Sequence, residues 1–461
     1  MPGPASSAMS GPLQRRHMAH AQRTLPTTGQ SPLGTISSTS QVFLPVRFLI
    51  TLNSFTDMIA VADSQAIAMD LRASIDEVGA DKKRVRLGVI APANHGSLGD
   101  QAMLEVVRAR FSKNDNVSLA TLLHRSWTAP LLRDRYRIKR FVATGNKTIT
   151  ALQNRYISKT FSSVWVIGAD NIDGAYNEEF IIRLLNMLKQ VGSPALQTGI
   201  FGCSISNNPK KAIMAALAAN PNLAFLARDP LSGGRFADTA GRSAHIVADL
   251  AFMLAPALTT PTAHAAQDWI GRQKAANRRV MAVNSSGHTT AGQTEAAVKV
   301  QIDAYRHWLD GGADRSIIFF PHDLRPSPIG DVEIVALLYG ALRDEFPGRL
   351  WLLEQPINAW DVKALLSGID SLVTGRMHAA IAALSNGVAP MCVVYQGKFE
   401  GLMQHFQLEG LCHSRDILSD GRAFRDALDG YEKSLNQNHD QAAARLPSVL
   451  TLAEKNFDFI Q

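Results

Sequence analysis

Cysteine is nearly absent from this chain. Cys203, Cys392 and Cys412 are the only three among 461 residues, far apart and without a CxxC pair. An odd, scattered set argues against a disulfide scaffold and against a thiolate zinc site, and it fits a reducing compartment. Long apolar runs are missing as well. Hydrophobic residues make up 46% of the sequence, yet no stretch approaches the roughly 20 apolar residues of a membrane-spanning helix. Asp and Glu are absent from the first 56 positions, which hold four Arg and much Ser, Thr, Pro and Gly. That segment reads as an Arg-bearing targeting sequence, as a disordered tail, or as an over-long reading frame whose true start is Met58 or Met69. It lacks the continuous apolar core of a secretory signal, so a cytoplasmic location is expected. Strong charge of one sign is lacking too: 47 Lys and Arg against 40 Asp and Glu give +7. No basic stripe interleaved with aromatics appears, so nucleic acid is not an expected partner. The mild basic excess suits small anionic ligands and leaves peripheral contact with a membrane surface open.

What is present, from residue 85 onward, is alternation. Short β-branched runs are followed by amphipathic stretches, the signature of βα units and parallel sheets. Expected strands are VRLGVI (85–90), VSLATLL (117–123), SVWVIG (163–168), ALQTGIF (195–201), LAFLAR (223–228) and AHIVAD (244–249). A Pro- and Thr-rich break, APALTTPTAH (255–264), interrupts the pattern. It resumes with RVMAVNS (279–285), SIIFFPH (316–322), RLWLLE (349–354), SLVTG (371–375) and APMCVVY (389–395), and two helices close the chain. The economical interpretation is an α/β protein of two doubly wound halves. Residues 1–80 form an irregular extension, 81–260 the first half and 270–461 the second, with a linker near 255–275. Ligands of such sheets bind outside the carboxyl ends of the strands, which puts a site in the cleft between the halves.

Five strand exits carry residues with chemistry. The loop APANHGSLGDQAML (91–104) holds Asn94, two glycines and Asp100 at the expected helix N-cap. Such a loop brings backbone N–H groups close to an anion, and equally it can be no more than a capped turn. It lacks the spacing of GxGxxG or a P-loop. The polar exit IGADNIDGAY (167–176) offers Asp170 and Asn171 to sugar hydroxyls, or an Asx-type turn. In LARDPLSGGRF (226–236), Arg228 leaves a buried strand beside Asp229, as an anion clamp or as one half of a structural pair. FFPHDLRP (319–326) sets His322, Asp323 and Arg325 directly after four apolar residues. Finally, VTGRMHAAIAALSNGVAPMCVVYQGK (373–398) puts Arg376 and His378 where a strand meets a helix, with Lys398 past the next strand. A helix N-terminus attracts a bound anion there. No GxSxG, HExxH, EF-hand or Cys-based ligand cluster occurs. Several cations, two histidines and scattered carboxylates suit a small, highly charged substrate that needs proton transfer, and no metal is called for.

The blocks HGSLGDQAML, IGADN, GCSIS, ARDPLS, ADLAF, PHD and TGRMHAAIAALSNGVAPMCVVYQGK, in that order over roughly residues 86–410, resemble the polysaccharide pyruvyltransferase family. Within it the first block looks most like the exopolysaccharide-biosynthesis branch. The resemblance implies a GT-B-like fold of two Rossmann-type halves. It also implies transfer of the enolpyruvyl group of phosphoenolpyruvate, the donor substrate, to two sugar hydroxyls, without a cofactor. Arg228, Arg376 and His378 fall on positions the family associates with the phosphoenolpyruvate site, and Asp100 and His322 match recurrent motif positions. His378 is then the expected general acid, with His322 or Asp100 accepting the hydroxyl proton. Arg325, Lys398, Asn94, Asp170 and Asn171 are expected to bind donor or acceptor, the latter a saccharide or lipid-linked oligosaccharide. Ser97 stands where Asn is common, GCSIS replaces a Gly-Gln-Ser-type turn, and ADN replaces a glycine-rich one. These departures concern the acceptor more than the donor. A nucleotide-sugar glycosyltransferase of the same fold and a non-catalytic saccharide-binding protein are the alternatives, since fold alone does not fix function.

Overall fold

The alternation becomes two parallel sheets. The computed structural model describes residues 85–91, 96–111, 117–124, 138–141, 147–169, 172–174, 177–290, 294–395 and 397–460. The first half runs β1 (Val85–Ile90), α1 (Leu98–Phe111), β2 (Val117–His124), β3 (Ile138–Phe141), α2 (Lys147–Thr160), β4 (Ser163–Ala169), α3 (Glu178–Val191), β5 (Gln197–Cys203), α4 (Lys211–Ala218), β6 (Ala224–Ala227), α5 (Pro230–Ala240) and β7 (His245–Ile246). A 3-10 turn, Leu250–Met253, follows, and α6 (Pro261–Ala275) leads into the second half. That half runs β8 (Arg279–Asn284), α7 (Gly287–Thr290), α8 (Thr294–Asp310), β9 (Arg315–Phe319), α9 (Val332–Leu342), β10 (Leu350–Leu352), α10 (Ala359–Leu365), β11 (Ser371–Thr374), α11 (Met377–Leu384), β12 (Met391–Val394), α12 (Phe399–Phe406), β13 (Cys412–Ser414), α13 (Gly421–Lys433) and α14 (Leu435–Glu454).

Both sheets are wound from the middle outward. The first has order β3-β2-β1-β4-β5-β6-β7 and the second β10-β9-β8-β11-β12-β13, and neighbouring strands run parallel throughout. Strands covered by helices on both faces read as continuous apolar runs rather than alternating ones. β11 is buried at every position and β8 at all but its first. Strand order reverses between β1 and β4 in one sheet and between β8 and β11 in the other, so each half opens a crevice at those carboxyl ends.

Several local outcomes differ from the sequence reading, among them β3 (Ile138–Phe141), which was not expected. The stretch expected as linker is largely helical, because Thr260 caps α6 through its side chain and Pro261 takes the first turn, where its missing N–H costs nothing. The expected strand at 244–249 shrinks to two exposed residues, beyond which Asp249 caps the 3-10 turn through Ala251 N–H. β13 was not expected; it is three residues long and pairs Cys412 with Cys392.

Two elements tie the halves together. Almost every side chain of α1 is buried, including Asp100, Gln101 and Arg108, because α1 lies between the 250–253 turn of its own half and α10 and α11 of the other. The last helix crosses back to the first sheet. Asn456 donates to Ala248 O (2.8 Å) and accepts from Gly202 N–H (2.9 Å), and Phe457 meets Phe111 and Phe201 edge-on at 5.5 and 6.0 Å. Among the described residues, no helix is long and apolar enough to cross a membrane.

Candidate active site

The N-terminus of α1 faces the second half across the cleft. Gly96 has φ +93°, a left-handed conformation that excludes most side chains, and Ser97 bridges to Asp323 while Leu98 N–H donates to His322 O (3.2 Å). The helix cap is Ser97, not Asp100 as expected. The Ser97 hydroxyl accepts Asp100 N–H at 3.3 Å, which leaves Asp100 in the first turn, buried and electrostatically coupled to Arg325. Gly99 touches the His378 ring so closely that a Cβ there would stand 2.1 Å from Nδ1.

Arg228, at the mouth of β6, does not pair with its neighbour Asp229. Asp229 caps α5, accepting Ser232 N–H at 2.7 Å. The Arg228 guanidinium donates instead to Ser204 Oγ (Nε, 2.7 Å) and to Asp249 Oδ2 (Nη1, 2.6 Å). The same Asp249 oxygen lies 3.5 Å from His378 Nε2. Asp249 is 2% exposed. Burial works against its charge, but His378, Arg228 and the Ala251 N–H outweigh that and hold its carboxyl well below the usual range. Arg228, Asp249 and Lys398 line a small pocket whose remaining wall is Asp229, Phe252, Met377, Ile381 and Leu402.

A second cluster adjoins it in the other half. Arg376 precedes α11 at the β8/β11 crevice. Its Nε and Nη2 donate to Asp331 Oδ1 at 2.9 and 2.7 Å, its Nη1 sits 3.1 Å from Asp323 Oδ2, and Nη2 also reaches Ile329 O. Burial opposes the charge, yet Asp331 and Asp323 raise the guanidinium pKa above its ordinary value. Asp331 is wholly buried, and its Oδ2 collects N–H groups of His322 and Asp323 (3.0 Å each) and Asn284 Nδ2 (2.9 Å). Arg325 forks onto Asp323. Burial would raise the Asp323 carboxyl, but the Arg325 hydrogen bonds and the Arg376 charge hold it below the usual range. His322 is 5% exposed; burial first, then the charges of His378 and Arg376, lower its pKa to about 3.

The structure therefore brings Arg228, His378 and Lys398 together on one side, and Arg376, Arg325 and His322 on the other, with Asp100 between them on α1. Asn94, Asp170 and Asn171 lie outside the described residues. Sequence reasoning missed Asp249 and Asp331 as the carboxylates that organise the two clusters. The signal for Asp331 was a Gly-Asp pair just before an apolar helix, and for Asp249 its place in the ADLAF block. Among the described residues, no three His, Cys, Asp or Glu side chains converge as a metal would require. The arrangement can hold an anion between cations from both halves and present an imidazole to it.

A family model described as "Polysaccharide pyruvyl transferase" matches residues 98–397. No curated protein matches the chain. Among solved structures, Staphylococcus aureus MnaA with UDP is 9% identical, with a TM-score of 0.53 over 78% of this chain and 91% of that one. UDP-GlcNAc 2-epimerase from Neisseria meningitidis, bound to UDP-GlcNAc, is 9% identical, with a TM-score of 0.51 over 81% and 98%. A glycosyltransferase from Rickettsia africae is 10% identical, with a TM-score of 0.50 over 82% and 98%. At such identities the likeness concerns the fold, which is GT-B-like.

Proposed function

The chain belongs to the polysaccharide pyruvyl transferase family, and on that footing we propose that it moves the enolpyruvyl group of phosphoenolpyruvate onto two hydroxyls of one sugar. The acceptor in this reading is an exopolysaccharide or its lipid-linked precursor, and the products are a cyclic pyruvate ketal and phosphate. One observation carries the reading: Arg228 from the first half and His378 from the second meet on a single carboxylate, beside a pocket that Lys398 also lines. Phosphoenolpyruvate bears a carboxylate and a phosphate, and guanidinium forks suit both. Arg228 and Lys398 take one anionic end, and Arg376 with Arg325 faces the other. Asn94, Asp170 and Asn171 are left for the acceptor.

His378 gives a proton to the methylene carbon, which becomes a methyl group, and positive charge develops at the adjoining carbon. A sugar hydroxyl attacks that carbon and loses its proton. The bond from that carbon to the phosphate oxygen then breaks, the phosphate taking the electron pair, and the second hydroxyl closes the ring. One hydroxyl proton restores His378 and the other leaves with phosphate. His322 or Asp100 relays the hydroxyl proton. Burial and the His378 and Arg376 charges lower the His322 pKa to about 3, so His322 is uncharged in the working range, unable to serve as the acid, and only a weak base while those charges stand unopposed. A donor anion against Arg376 offsets one of the charges that depress it. A positioned proton donor contributes about 10²–10⁴-fold. The donor supplies its own leaving group, so the scheme calls on no cofactor. Because phosphoenolpyruvate is an intracellular metabolite, the reading places the protein in the cytoplasm, at the inner membrane face if the acceptor is lipid-linked.

The test is phosphate release from phosphoenolpyruvate across a panel of glycans, with mass spectrometry of the products. The expected result is release only with a particular sugar, together with a ketal-bearing product. Turnover of a nucleotide sugar with no phosphate release from phosphoenolpyruvate would establish glycosyl transfer instead.

A further inference from the structure

We infer that Asp249 is a positioning residue whose carboxylate passes from Arg228 to His378 when an anion enters the pocket between Arg228 and Lys398. The inference rests on the reading that His378 donates the proton. A single oxygen faces both cationic partners: Oδ2 is 2.6 Å from Arg228 Nη1 and 3.5 Å from His378 Nε2. The other oxygen accepts Ala251 N–H at 2.8 Å, so backbone fixes where the carboxylate sits and only its choice of partner is open. With Asp249 2% exposed, no bulk water shares its charge, and a buried carboxylate must be paired. His378 Nε2 is likewise buried, and at 3.5 Å from Asp249 Oδ2 it has an ion-pair contact that falls short of a full hydrogen bond. A closure of well under 1 Å, from 3.5 Å to the usual ~2.9 Å, satisfies it.

What drives the closure is competition for the Arg228 guanidinium. Its Nε is held by Ser204 Oγ at 2.7 Å, so the group stays in place while an arriving anion draws on it. The pocket walls are apolar except for Arg228, Lys398, Asp229 and Asp249, and in such surroundings an added negative charge strongly weakens the Arg228–Asp249 attraction. His378 then becomes the nearest alternative. Held through Nε2–H, the imidazole has its transferable proton on Nδ1. That nitrogen packs against Gly99, where only the absence of a side chain leaves room for the ring. The other charged groups near His378 and the adjoining pocket include His322, Arg376, Lys398, Asp229 and, next to Gly99, Asp100. The proton donor is thus readied by the arrival of the molecule it must protonate.

The test compares wild type with Asp249→Asn, which keeps shape and loses charge. Protein labelled with 15N-histidine, with His378 assigned by difference from His378→Gln, is titrated from pH 5 to 9 with and without phosphoenolpyruvate. The expected result is that phosphoenolpyruvate moves the His378 nitrogen signals of wild type toward a hydrogen-bonded Nε2–H and leaves those of Asp249→Asn largely unmoved. In turnover, kcat falls about 10²-fold in Asp249→Asn, KM for the donor changes less than about threefold, and the alkaline limb of the kcat profile moves to lower pH. Equal His378 responses in the two proteins, or an unmoved limb with kcat and KM lost together, overturn the inference. If phosphoenolpyruvate does not bind wild type at all, the donor reading fails separately. The inference is then decided with inorganic phosphate as the probe, and an identical His378 response in both proteins overturns it.

Discussion

Arg376 answers why a fixed cation should sit beside a histidine at a strand–helix junction: it neutralises two buried carboxylates on the facing loop and keeps the mouth of the crevice in shape. Lysine cannot reproduce that contact, because one ammonium reaches one carboxylate where the fork spans Asp331 and Asp323. Arg376→Lys is expected to lose about 1–3 kcal/mol of stability through the weakened buried pair, read as a drop in urea midpoint, and to raise donor KM; unchanged KM would remove Arg376 from the donor site. His378→Ala should lower turnover about 10²–10⁴-fold with little change in melting temperature, and wild-type turnover in that variant would end its role as acid. His322 lends itself to a stability test. Its folded pKa, about 3, is depressed from 6.5 by burial and by the His378 and Arg376 charges, so between these values the unfolded chain binds a proton that the native state refuses. Its contribution is therefore complete above pH 6.5 and is lost as pH falls toward 3, by at most about 1.4 kcal/mol per pH unit. Denaturant midpoints at pH 7, 6, 5 and 4 should fall less steeply for His322→Asn than for wild type.

Among the elements, α1 decides how the site is assembled, and its sequence shows why the site was only partly legible. Strand exits could be read because period and turn chemistry are local, and they put Arg228, His322, Arg376 and His378 at carboxyl ends of strands. The partners could not be read. Asp249 lies 21 residues beyond Arg228 in sequence and receives His378 from the other half, a pairing that only tertiary packing creates. Asp100 was expected to cap α1 because acids favour that position, but Ser97 does so one turn earlier, and the Asp100 carboxylate acts electrostatically on Arg325. The unexpected helix α6 has the same lesson: a Pro- and Thr-rich stretch signals a break and a helix start alike, and here Thr260–Pro261 is the start. Gly99 tests α1 directly. A methyl group 2.1 Å from His378 Nδ1 must push the ring or the helix aside, and displacements near 1 Å cost about 10²-fold in rate. Gly99→Ala is expected to keep its fold by circular dichroism and to lose turnover on that scale; a fully active variant would show that the His378 ring has room to spare.

Across the whole molecule, the site depends on how the two halves are held, and one contact between them is unusual. Lys363, on α10 of the second half, points its ammonium into the first half and donates to the carbonyls of Ala251 and Phe252 at 3.2 and 2.8 Å, two and three residues after Asp249. Burial lowers its pKa from 10.5 to about 8. The native state therefore releases this proton earlier than the unfolded chain, so Lys363 adds stability as pH rises from about 8 to 10.5 and withdraws it as pH falls back through 8. Lys363→Met keeps most of the volume and removes the charge. It leaves two carbonyls short of a donor, a cost of about 1–3 kcal/mol, and relieves the desolvation of an ammonium, which offsets part of it. The expected outcome is a modest change in urea midpoint at pH 7.5 and loss of the alkaline rise seen in wild type between pH 8 and 10. Because the strut ends on the turn that carries Asp249, turnover should fall while donor KM holds. If the alkaline rise persists in the variant, another group is responsible for it, and if turnover is unaffected, the turn holds Asp249 in place without help from across the cleft.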